Sequence, residues 1–297
     1  ISGESGNCEV GDYMTHPAFL AFNTTGIWVG KFETGYDGAT SNWGAQSNII
    51  DTSKVIVKPN VYSWRDIQVA NAFTVSYNYQ RELESHMMKN TEWGAVAYLS
   101  HSIYGINGEI RINNNLNLLT GYATTTENGS LSETEVAMWN TVTGYLASTI
   151  GNITGIYDMS GGADEYVMGV INDANGNLMS GASFYANSGF NGTLKDGSSY
   201  TDGIDFPDSK YYDAYKYDSI DNSHSRRILG DATGEMGPFN SYESSWYNDS
   251  ADFVYSSNPW FRRGGGFDHY PVAGSFYFST GYGRAYSGIS FRLVLCI

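Results

Sequence analysis

The sequence is poor in charged residues, above all in basic ones, and this excludes several classes of protein. Only 16% of its 297 residues are charged, and 16 Lys and Arg stand against 31 Asp and Glu, giving a formal net charge of −15. Phosphate backbones are bound by clustered Lys and Arg, and the sequence has no such cluster, so we expect no nucleic-acid partner. Its apolar runs are far shorter than the roughly 20 residues of a membrane-spanning helix, so we expect no membrane span within this chain.

Cysteine is nearly missing as well, with only Cys8 and Cys296 in the chain. Two thiols without a C-x-x-C partner cannot complete a four-ligand zinc site. They are either a disulfide that joins the two terminal segments or two unrelated thiols, and a disulfide predicts that the two termini lie close together. The sequence also contains N-x-S/T triplets, which an Asn-rich chain can produce by chance. Taken together, these features favour an extracellular, cell-surface or virion location. The triplets begin at Asn23, Asn128, Asn152, Asn191 and Asn248.

Signatures of common catalytic sites are absent too. The sequence has no G-x-S-x-G nucleophile elbow, no phosphate-binding P-loop and no H-E-x-x-H zinc motif. Its histidines are scattered without the H-x-H, H-x-x-H or H-x-x-x-H spacing of a metal site, so each is expected to lie at the surface or to be structural. His86, beside Glu82 and Glu84, is expected on a helix face. The histidines are His16, His86, His101, His224 and His269.

Tyrosine and glycine are abundant instead, with 24 Tyr and 35 Gly. Surfaces rich in Tyr, Gly, Ser and Asn are typical of antibody-like binding sites, because Tyr offers contact area at a low cost in conformational entropy. The alternative is that the tyrosines only cover the surface of a β protein. With 41% hydrophobic residues the chain can form a substantial core and is not disordered by composition.

Apolar residues at three- and four-residue spacing predict three helices. The first is predicted to begin at Ser63 as N-cap and to place Trp64, Ile67, Ala70, Phe73 and Tyr77 on one face. The second is predicted from Thr91 to about Ser100. The third is predicted after a capping box at Ser132 and Glu135, with Val136, Trp139, Val142 and Leu146 as its apolar positions.

Alternating residues predict β-strands at both ends of the chain. Residues 26–33 alternate in part, Phe276 and Phe278 flank Tyr277, and residues 289–295 place apolar side chains at every second position. Residues 170–258 have no sustained period and are predicted to be a loop-rich insertion. Because no linker or repeat divides the sequence, residues 1–297 are expected to form a single domain.

Several short motifs occur in an order that is typical of one family. Residues 90–98 (NTEWGAVAY) are similar to a T-E-A-E-W-E-Y-A-A segment, and residues 155–166 (GIYDMSGGADEY) to G-L-Y-D-M-x-G-N-V-W-E-W. Residues 261–266 (FRRGGG) with 289–292 (ISFR) are similar to an R-G-G-S-W … G-F-R ending. Two further matches are residues 28–33 (WVGKFE), similar to a strand F-x-I-x-K-x-E-V-T, and residues 61–66 (VYSWRD), similar to a helix start V-x-W-x-D-A.

Over residues 26–295 the chain therefore resembles the formylglycine-generating-enzyme-like (sulfatase-modifying factor) family, which has a C-type-lectin-type fold. The resemblance implies an α+β fold with a small twisted antiparallel sheet, two helices and long irregular loops. It also implies a core that contains ten large side chains. These are Trp28, Phe32, Trp64, Trp93, Tyr157, Met159, Phe276, Phe278, Phe291 and Leu293.

The chain departs from the catalytic members of that family. Those that bind copper use two cysteines in the C-terminal loops, where residues 267–288 have none, and thiolate is the ligand that selects Cu(I). Those that bind iron use histidines in a pattern that is not found here. Gly162 replaces the Asn of the G-N-V-W-E-W motif, which puts a calcium site there in doubt. Asp158, Asp164 and Glu165 are more easily explained as structural hydrogen-bonding groups. We therefore expect no enzyme and no cofactor, with structural calcium as the open alternative.

The fold also serves as the displayed product of diversity-generating retroelements, and the C-terminal block resembles such a variable protein. Residues 261–295 are the candidate variable ligand-binding segment, in which framework aromatics alternate with varied residues. The resemblance implies a surface-displayed binding or adhesion protein of a phage or bacterium whose partner is a protein or glycan receptor. The candidate ligand-binding residues are Phe267, Asp268, His269, Tyr270, Ser275, Tyr277, Tyr282, Arg284, Tyr286 and Ser287.

Two further expectations follow for this block. Tyr277 should point away from Phe276 and Phe278 and be exposed, together with the neighbouring loop side chains, as one patch. Two other functions stay open: a structural subunit of a filament or virion that associates with its own copies, or a metal-dependent oxidase with relocated ligands.

Overall fold

A computed structural model describes residues 15–126, 135–172, 188–194, 197–216, 228–233 and 246–296. Within these ranges the chain is mixed α+β, with few helices and a curled sheet. The helices are α1 (Pro17–Leu20), α2 (Val69–Tyr79) and α3 (Asn90–His101). None of them has the length and apolar character that a membrane span requires.

The strands of the described residues are short, except for two near the centre of the fold. In chain order they are β1 (Ile27–Val29), β2 (Gly35–Tyr36), β3 (Val55–Ile56), β4 (His86–Met87), β5 (Tyr122–Thr124), β6 (Val136–Met138), β7 (Asp164–Asn172), β8 (Gly192–Thr193), β9 (Ser199–Tyr200), β10 (Asp213–Lys216), β11 (Trp260–Gly264), β12 (Gly274–Gly281), β13 (Ile289–Phe291) and β14 (Leu293–Cys296).

The main sheet is built around β7 and has the order β10-β7-β11-β12, with β13 also paired to β7. The β7–β11 and β11–β12 pairs are antiparallel, whereas β10 and β13 run parallel to β7. The expectation of a purely antiparallel sheet is therefore wrong. Parallel neighbours need long crossover connections, and the long segments that separate β7 from β10 and β13 in the sequence supply them.

A second sheet lies where the two ends of the described chain meet. In it β14 lies between β1 and β4, and both pairs are antiparallel. Cys296 of β14 is opposite Ile27 of β1. Cys8 lies outside the described residues, so its bond to Cys296 stays a prediction.

The core is divided between the two faces of β7, and both faces are covered. Val167 and Ile171 pack with α3 and with aromatic residues of β11 and β12. Tyr166, Met168 and Val170, which point the other way, pack with α2 and with β13. This double burial explains why residues 166–171 read as a nearly continuous apolar run rather than as an alternating strand.

Helix α2 begins later than the sequence predicts. The expected N-cap Ser63 is in extended backbone, where it forms a bridge to Gly35, and Trp64 N–H donates to Thr34 O (2.8 Å). Asp66 has a left-handed φ of 58°, which interrupts any helix at this point. Trp64 and Ile67 are fully buried, but they reach the core from this extended segment and not from a helix.

Helix α3 confirms the second predicted helix and extends it by one residue at each end. Glu92 closes a capping box, because its Oε2 accepts the Lys89 N–H (2.8 Å). The third predicted helix is wrong. Val136 starts strand β6, which pairs with β5, and Val142 is 82% exposed in the turn that follows. β-Branched residues favour such extended backbone, and Ser132 lies outside the described residues.

Nine of the ten predicted core side chains are buried, from Phe32 to Leu293. The exception is Trp28, which is 65% exposed. Its neighbours Ile27 and Val29 pack against the core, so alternation along β1 directs Trp28 to the outside. The C-terminal strand predictions are confirmed by β12, β13 and β14, although both faces of β13 are buried.

Candidate functional site

An ion pair in the core fixes the strand that carries the site. Arg292 on β14's N-terminal side donates through Nε to Glu165 Oε2 (3.1 Å) and through Nη1 to Gly30 O (2.7 Å). Both side chains are fully buried. Asp158 and Glu33 lie close by, and burial together with the charges of Asp158 and Glu165 raises the pKa of Glu33 well above its usual value. This cluster is enclosed and serves the scaffold.

Asp164 precedes Glu165 on β7, so its side chain points to the opposite face. There Asp164 Oδ2 accepts from Arg262 Nη1 of β11 (2.9 Å). Arg262 is held by two further bonds, from Nε to Thr280 O (2.7 Å) and from Nη2 to Ser279 Oγ (3.1 Å). Asp164 Oδ1 has no hydrogen-bond partner among the described residues, although the side chain is 5% exposed.

A tight loop between β11 and β12 places His269 beside Asp164. Gly264 and Gly265 have φ of 83° and 72°, which only glycine adopts readily, and they turn the chain. Phe267 N–H then donates to Gly162 O (2.7 Å), which ties the loop to the start of β7. His269 Nδ1 accepts from Gly266 N–H (3.0 Å), so the loop fixes the ring as well as the backbone.

The imidazole of His269 stands between two carboxylates and bonds directly to neither. Its Nδ1 is 3.9 Å from Asp164 Oδ1, and its Nε2 is 3.9 Å from Asp268 Oδ1. Because Nδ1 accepts a hydrogen bond, the neutral ring carries its proton on Nε2, which is then a donor. Asp164 Oδ1 is therefore an acceptor, His269 Nε2 a donor and the Asp268 carboxylate a second acceptor.

The facing wall comes from the N-terminal half of the chain. Arg65, which is 1% exposed, donates through Nη1 to Ser287 O and through Nη2 to Asn42 O (2.6 Å). Its Nε has no partner among the described residues. The loop that contains Tyr286 and Ser287 is also fixed through its backbone, since Asp66 N–H donates to Tyr286 O (3.0 Å).

These walls enclose a pocket of about 400 Å³, which we call the Asp164 pocket. Five of the ten candidate ligand-binding residues line it, together with five charged or amide residues from elsewhere in the chain. Tyr286 is 50% exposed at this pocket, so one of its ring faces is accessible. The five candidates are Phe267, Asp268, His269, Tyr286 and Ser287, and the five others are Asn42, Gln46, Arg65, Asp164 and Arg262.

Burial dominates the electrostatics of Asp164. It raises the pKa of the carboxyl, and the positive charge of Arg262 and the nearby His269 oppose this rise. The pocket thus contains a carboxylate with Arg262 bonded to Oδ2, while the buried Oδ1 has no hydrogen-bond partner among the described residues. Such an atom is a strong acceptor for an incoming donor.

The other candidate residues have different positions. Arg284 lies over the rings of Tyr282 (5.3 Å) and Tyr286 (5.8 Å), so these three form a stack beside the Asp164 pocket. Tyr270 is 40% exposed and lines a different pocket of about 530 Å³. Ser275 is buried in β12.

The expected exposure of Tyr277 is wrong, although its expected direction agrees with the packing. Phe276 and Phe278 belong to the core, whereas Tyr277 stacks on His269 with ring centroids 5.8 Å apart. The loop that carries His269 and Ala273 covers this face of β12, and only 4% of Tyr277 is exposed. Tyr277 therefore supports the His269 ring and is not part of an exposed patch.

Sequence reasoning missed Asn42, Arg65 and Arg262 as site residues and treated Asp164 as structural. Arg65, Asp164 and Arg262 do belong to the motifs that carry the family resemblance, where they were counted as scaffold. A usable signal was their charge, because a chain with only 16 basic residues places Arg65 and Arg262 among apolar motif positions. Asn42 gave no signal, since it lies in a polar loop.

The described histidines do not form a metal site. His86 is fully buried on β4, where Nε2 contacts Glu92 Oε1 (2.9 Å), so its expected place on a helix face is wrong. His16 Nε2 contacts Gly230 O (2.9 Å), and His101 stacks on Tyr247. No group of three or more His, Cys, Asp or Glu side chains converges among the described residues. His224 lies outside them. The side chains that are described thus do not fit the copper and iron sites of the catalytic members.

Comparisons with known proteins add no relative. No protein-family model matches the chain, and no curated protein is significantly similar to it.

Proposed function

We propose that the chain is a non-catalytic binding protein that recognises a macromolecular or glycan ligand through its C-terminal surface. One observation carries the proposal: residues nominated from the sequence as ligand-binding line a single pocket. Phe267, Asp268 and His269 come from one loop, and Tyr286 and Ser287 from another.

The construction of this surface supports a binding role. Its loops are fixed by backbone hydrogen bonds to the scaffold, such as Phe267 N–H to Gly162 O (2.7 Å) and Asp66 N–H to Tyr286 O (3.0 Å). Rigid loops lose little conformational entropy when a ligand binds. Tyr and Arg, which dominate the energy of many interfaces, are present in the stack of Tyr282, Arg284 and Tyr286.

The proposal includes the family that the motifs resemble. Under this proposal, the chain has the C-type-lectin-type fold of the formylglycine-generating-enzyme-like family and acts as a variable protein of a diversity-generating retroelement. Residues 261–295 form the diversified segment, and the partner is a receptor on another cell or surface. The chain would then be displayed outside the cell or on a virion, and it would need no catalytic cofactor.

The test compares two pairs of exposed tyrosines. Purified protein is labelled and applied to arrays of surface glycans and surface proteins, as wild type and as a Tyr270→Ser/Tyr286→Ser variant. A matched control changes Tyr79 and Tyr104 to Ser, which are 39% and 77% exposed and lie outside the C-terminal block. Thermal unfolding of all three proteins is measured in parallel.

We expect the wild type and the control to bind the same array features, and the Tyr270/Tyr286 variant to bind at least about 30-fold more weakly. That factor corresponds to the loss of one hot-spot tyrosine, about 2 kcal/mol. The free energy of unfolding should change by under about 0.5 kcal/mol, because exposed side chains contribute little to it. A wild type that binds nothing, or a control that loses binding equally, contradicts the proposal.

A further inference from the structure

We propose that the Asp164 pocket binds a neutral sugar unit through neighbouring hydroxyl groups that bridge Asp164, His269 and Asp268. The inference rests on the proposed function and names the chemical class of its ligand. It adds Asp164, with Arg65 and Arg262 behind it, to the residues that recognise the ligand.

The first step is the open oxygen of Asp164. The side chain is 5% exposed, and Oδ1 has no hydrogen-bond partner among the described residues while Oδ2 is held by Arg262 (2.9 Å). Oδ1 is buried and lies 3.9 Å from His269 Nδ1, and both residues belong to the pocket lining. A buried acceptor without a partner is costly, and a ligand that donates a hydrogen bond removes that cost.

The second step is the alternation of acceptor and donor. Asp164 Oδ1 and the carboxylate of Asp268 accept, and His269 Nε2, which lies 3.9 Å from Asp268 Oδ1, donates. A hydroxyl group can donate and accept at the same time. Two hydroxyls on adjacent carbons can therefore donate to the two carboxylates while one of them accepts from His269. A single Ser or Thr hydroxyl of a protein partner can donate to one carboxylate and accept from His269, and it leaves the other carboxylate without a donor.

The third step is the balance of charge. Arg65 and Arg262 contribute two positive charges to the lining, and Asp164 and Asp268 contribute two negative ones. A charged ligand would lose its hydration at this site without meeting a net opposite charge. Anions are disfavoured further by the formal charge of −15 on the whole chain. A neutral ligand with many hydroxyls meets neither penalty.

The fourth step is the rim. Phe267 is half-buried and Tyr286 is 50% exposed, and both line the pocket. An accessible aromatic face can cover the apolar face of a sugar ring, and aromatic side chains are common in the lining of small-molecule sites. The volume of about 400 Å³ is within the usual range for a small-molecule site.

The experiment measures binding by titration calorimetry and by saturation-transfer NMR. The neutral probes are lactose, maltotriose, cellotriose and mannotriose. The charged probes of similar size are a glucosamine trimer and a galacturonate trimer. We expect at least one neutral probe to bind at least tenfold more tightly than either charged probe.

The variants are Asp164→Asn, Asp268→Asn and His269→Gln, with Asp202→Asn as the control. Asp202 is exposed and lies outside the pocket lining. Asn at position 164 can keep its oxygen on Arg262, and it then presents an NH₂ donor where the open acceptor was. Each pocket variant should lose at least tenfold in affinity, and the control should lose none. Should Asp164→Asn fail to fold, the two loop variants carry the test.

Three outcomes overturn the inference: no neutral probe binds, a charged probe binds better, or the pocket variants bind like wild type. The proposed function can survive each of these. If the arrays show tyrosine-dependent binding to a protein, the chain is a binding protein and the sugar assignment is wrong. If the arrays show no binding and the probes do not bind, both are wrong.

Discussion

Two arginine–carboxylate pairs stand side by side in this protein and differ in what surrounds them. Glu165 and Asp164 are consecutive residues of β7 and point to opposite faces. The Glu165–Arg292 pair is fully buried, whereas Arg262 of the other pair is 21% exposed. Arg292 Nε bonds one oxygen of Glu165 and Nη2 the other, but among the described residues only one oxygen of Asp164 has a hydrogen-bond partner.

The comparison shows how one strand can serve the fold and a site at once. A pair closed on all sides contributes to the fold, because removal of one partner leaves an uncompensated charge in the core. A pair with one open oxygen is weaker as a support, but it keeps a binding group in a fixed position. The same chemistry thus has two roles, and the number of satisfied atoms separates them.

The largest expected effect is on the closed pair. Changing Arg292 to Met should lower the free energy of unfolding by about 3–5 kcal/mol, since it leaves Glu165, Asp158 and Glu33 buried without their cation. Urea unfolding followed by circular dichroism measures this change. A loss of under about 1 kcal/mol would show that the cluster is not enclosed as described.

A smaller effect is expected on the open pair. Changing Arg262 to Met should lower the free energy of unfolding by about 1–3 kcal/mol, because the pocket gives solvent some access to Asp164. Urea unfolding of Arg262→Met and Arg292→Met under the same conditions compares the two losses in the free energy of unfolding directly. Equal losses would contradict the distinction drawn between them.

The closed pair also predicts a dependence on pH. Burial raises the pKa of Glu165 from 4.5 to about 7, and Arg292 opposes this rise. A carboxyl whose folded pKa is raised binds its proton more tightly in the folded state, so its contribution is complete below about pH 4.5 and is lost as pH rises towards 7. The melting temperature should therefore fall between pH 5 and pH 7.5.

Glu165→Gln serves as the control for the pH experiment, because it cannot titrate. Its melting temperature should depend less on pH over the same interval than that of the wild type. An unchanged slope would assign the effect to other buried acids, such as Glu33 and Asp249, whose pKa values burial also raises.

The smallest effect on stability is expected at the rim of the open pair. Asp268 is exposed, so Asp268→Asn should change the free energy of unfolding by under about 0.5 kcal/mol. Calorimetry of the variant beside Asp202→Asn checks this. A clear loss of stability would make Asp268 part of the fold and would weaken its use in binding experiments.

Local patterns in the sequence predicted the elements that local interactions decide. Apolar residues at three- and four-residue spacing predicted α3, and alternation predicted β12, β13 and β14. The start of α2 was predicted wrongly because the backbone around Ser63 pairs with distant residues. Ser63 forms a β-bridge to Gly35, and the Arg65 N–H donates to Ala45 O. Local spacing contains no information about such partners.

The candidate site was predicted only in part, because local patterns do not identify partners that are distant in sequence. Phe267 to His269 and Tyr286 to Ser287 were predicted from the resemblance of the C-terminal block to a variable protein, and they do meet at one pocket. The prediction that Tyr277 is exposed was wrong, because a loop from the same block covers it. Alternation along a strand predicts which way a side chain points, but it does not predict what packs over that side chain. Asn42 and Arg65 reach the pocket from more than 200 residues away in sequence.

The pairing of β7 has a consequence for the order in which the protein can fold. Its partners β10, β11 and β13 lie at residues 213–216, 260–264 and 289–291, so the central sheet cannot close until residue 291 has left the ribosome. Such distant pairing makes closure slow, and the apolar faces of β7 stay uncovered during synthesis. Nascent chains that stop before β13 should therefore be targets for chaperones, and amides of β7 should gain protection from hydrogen exchange only at the final stage of refolding.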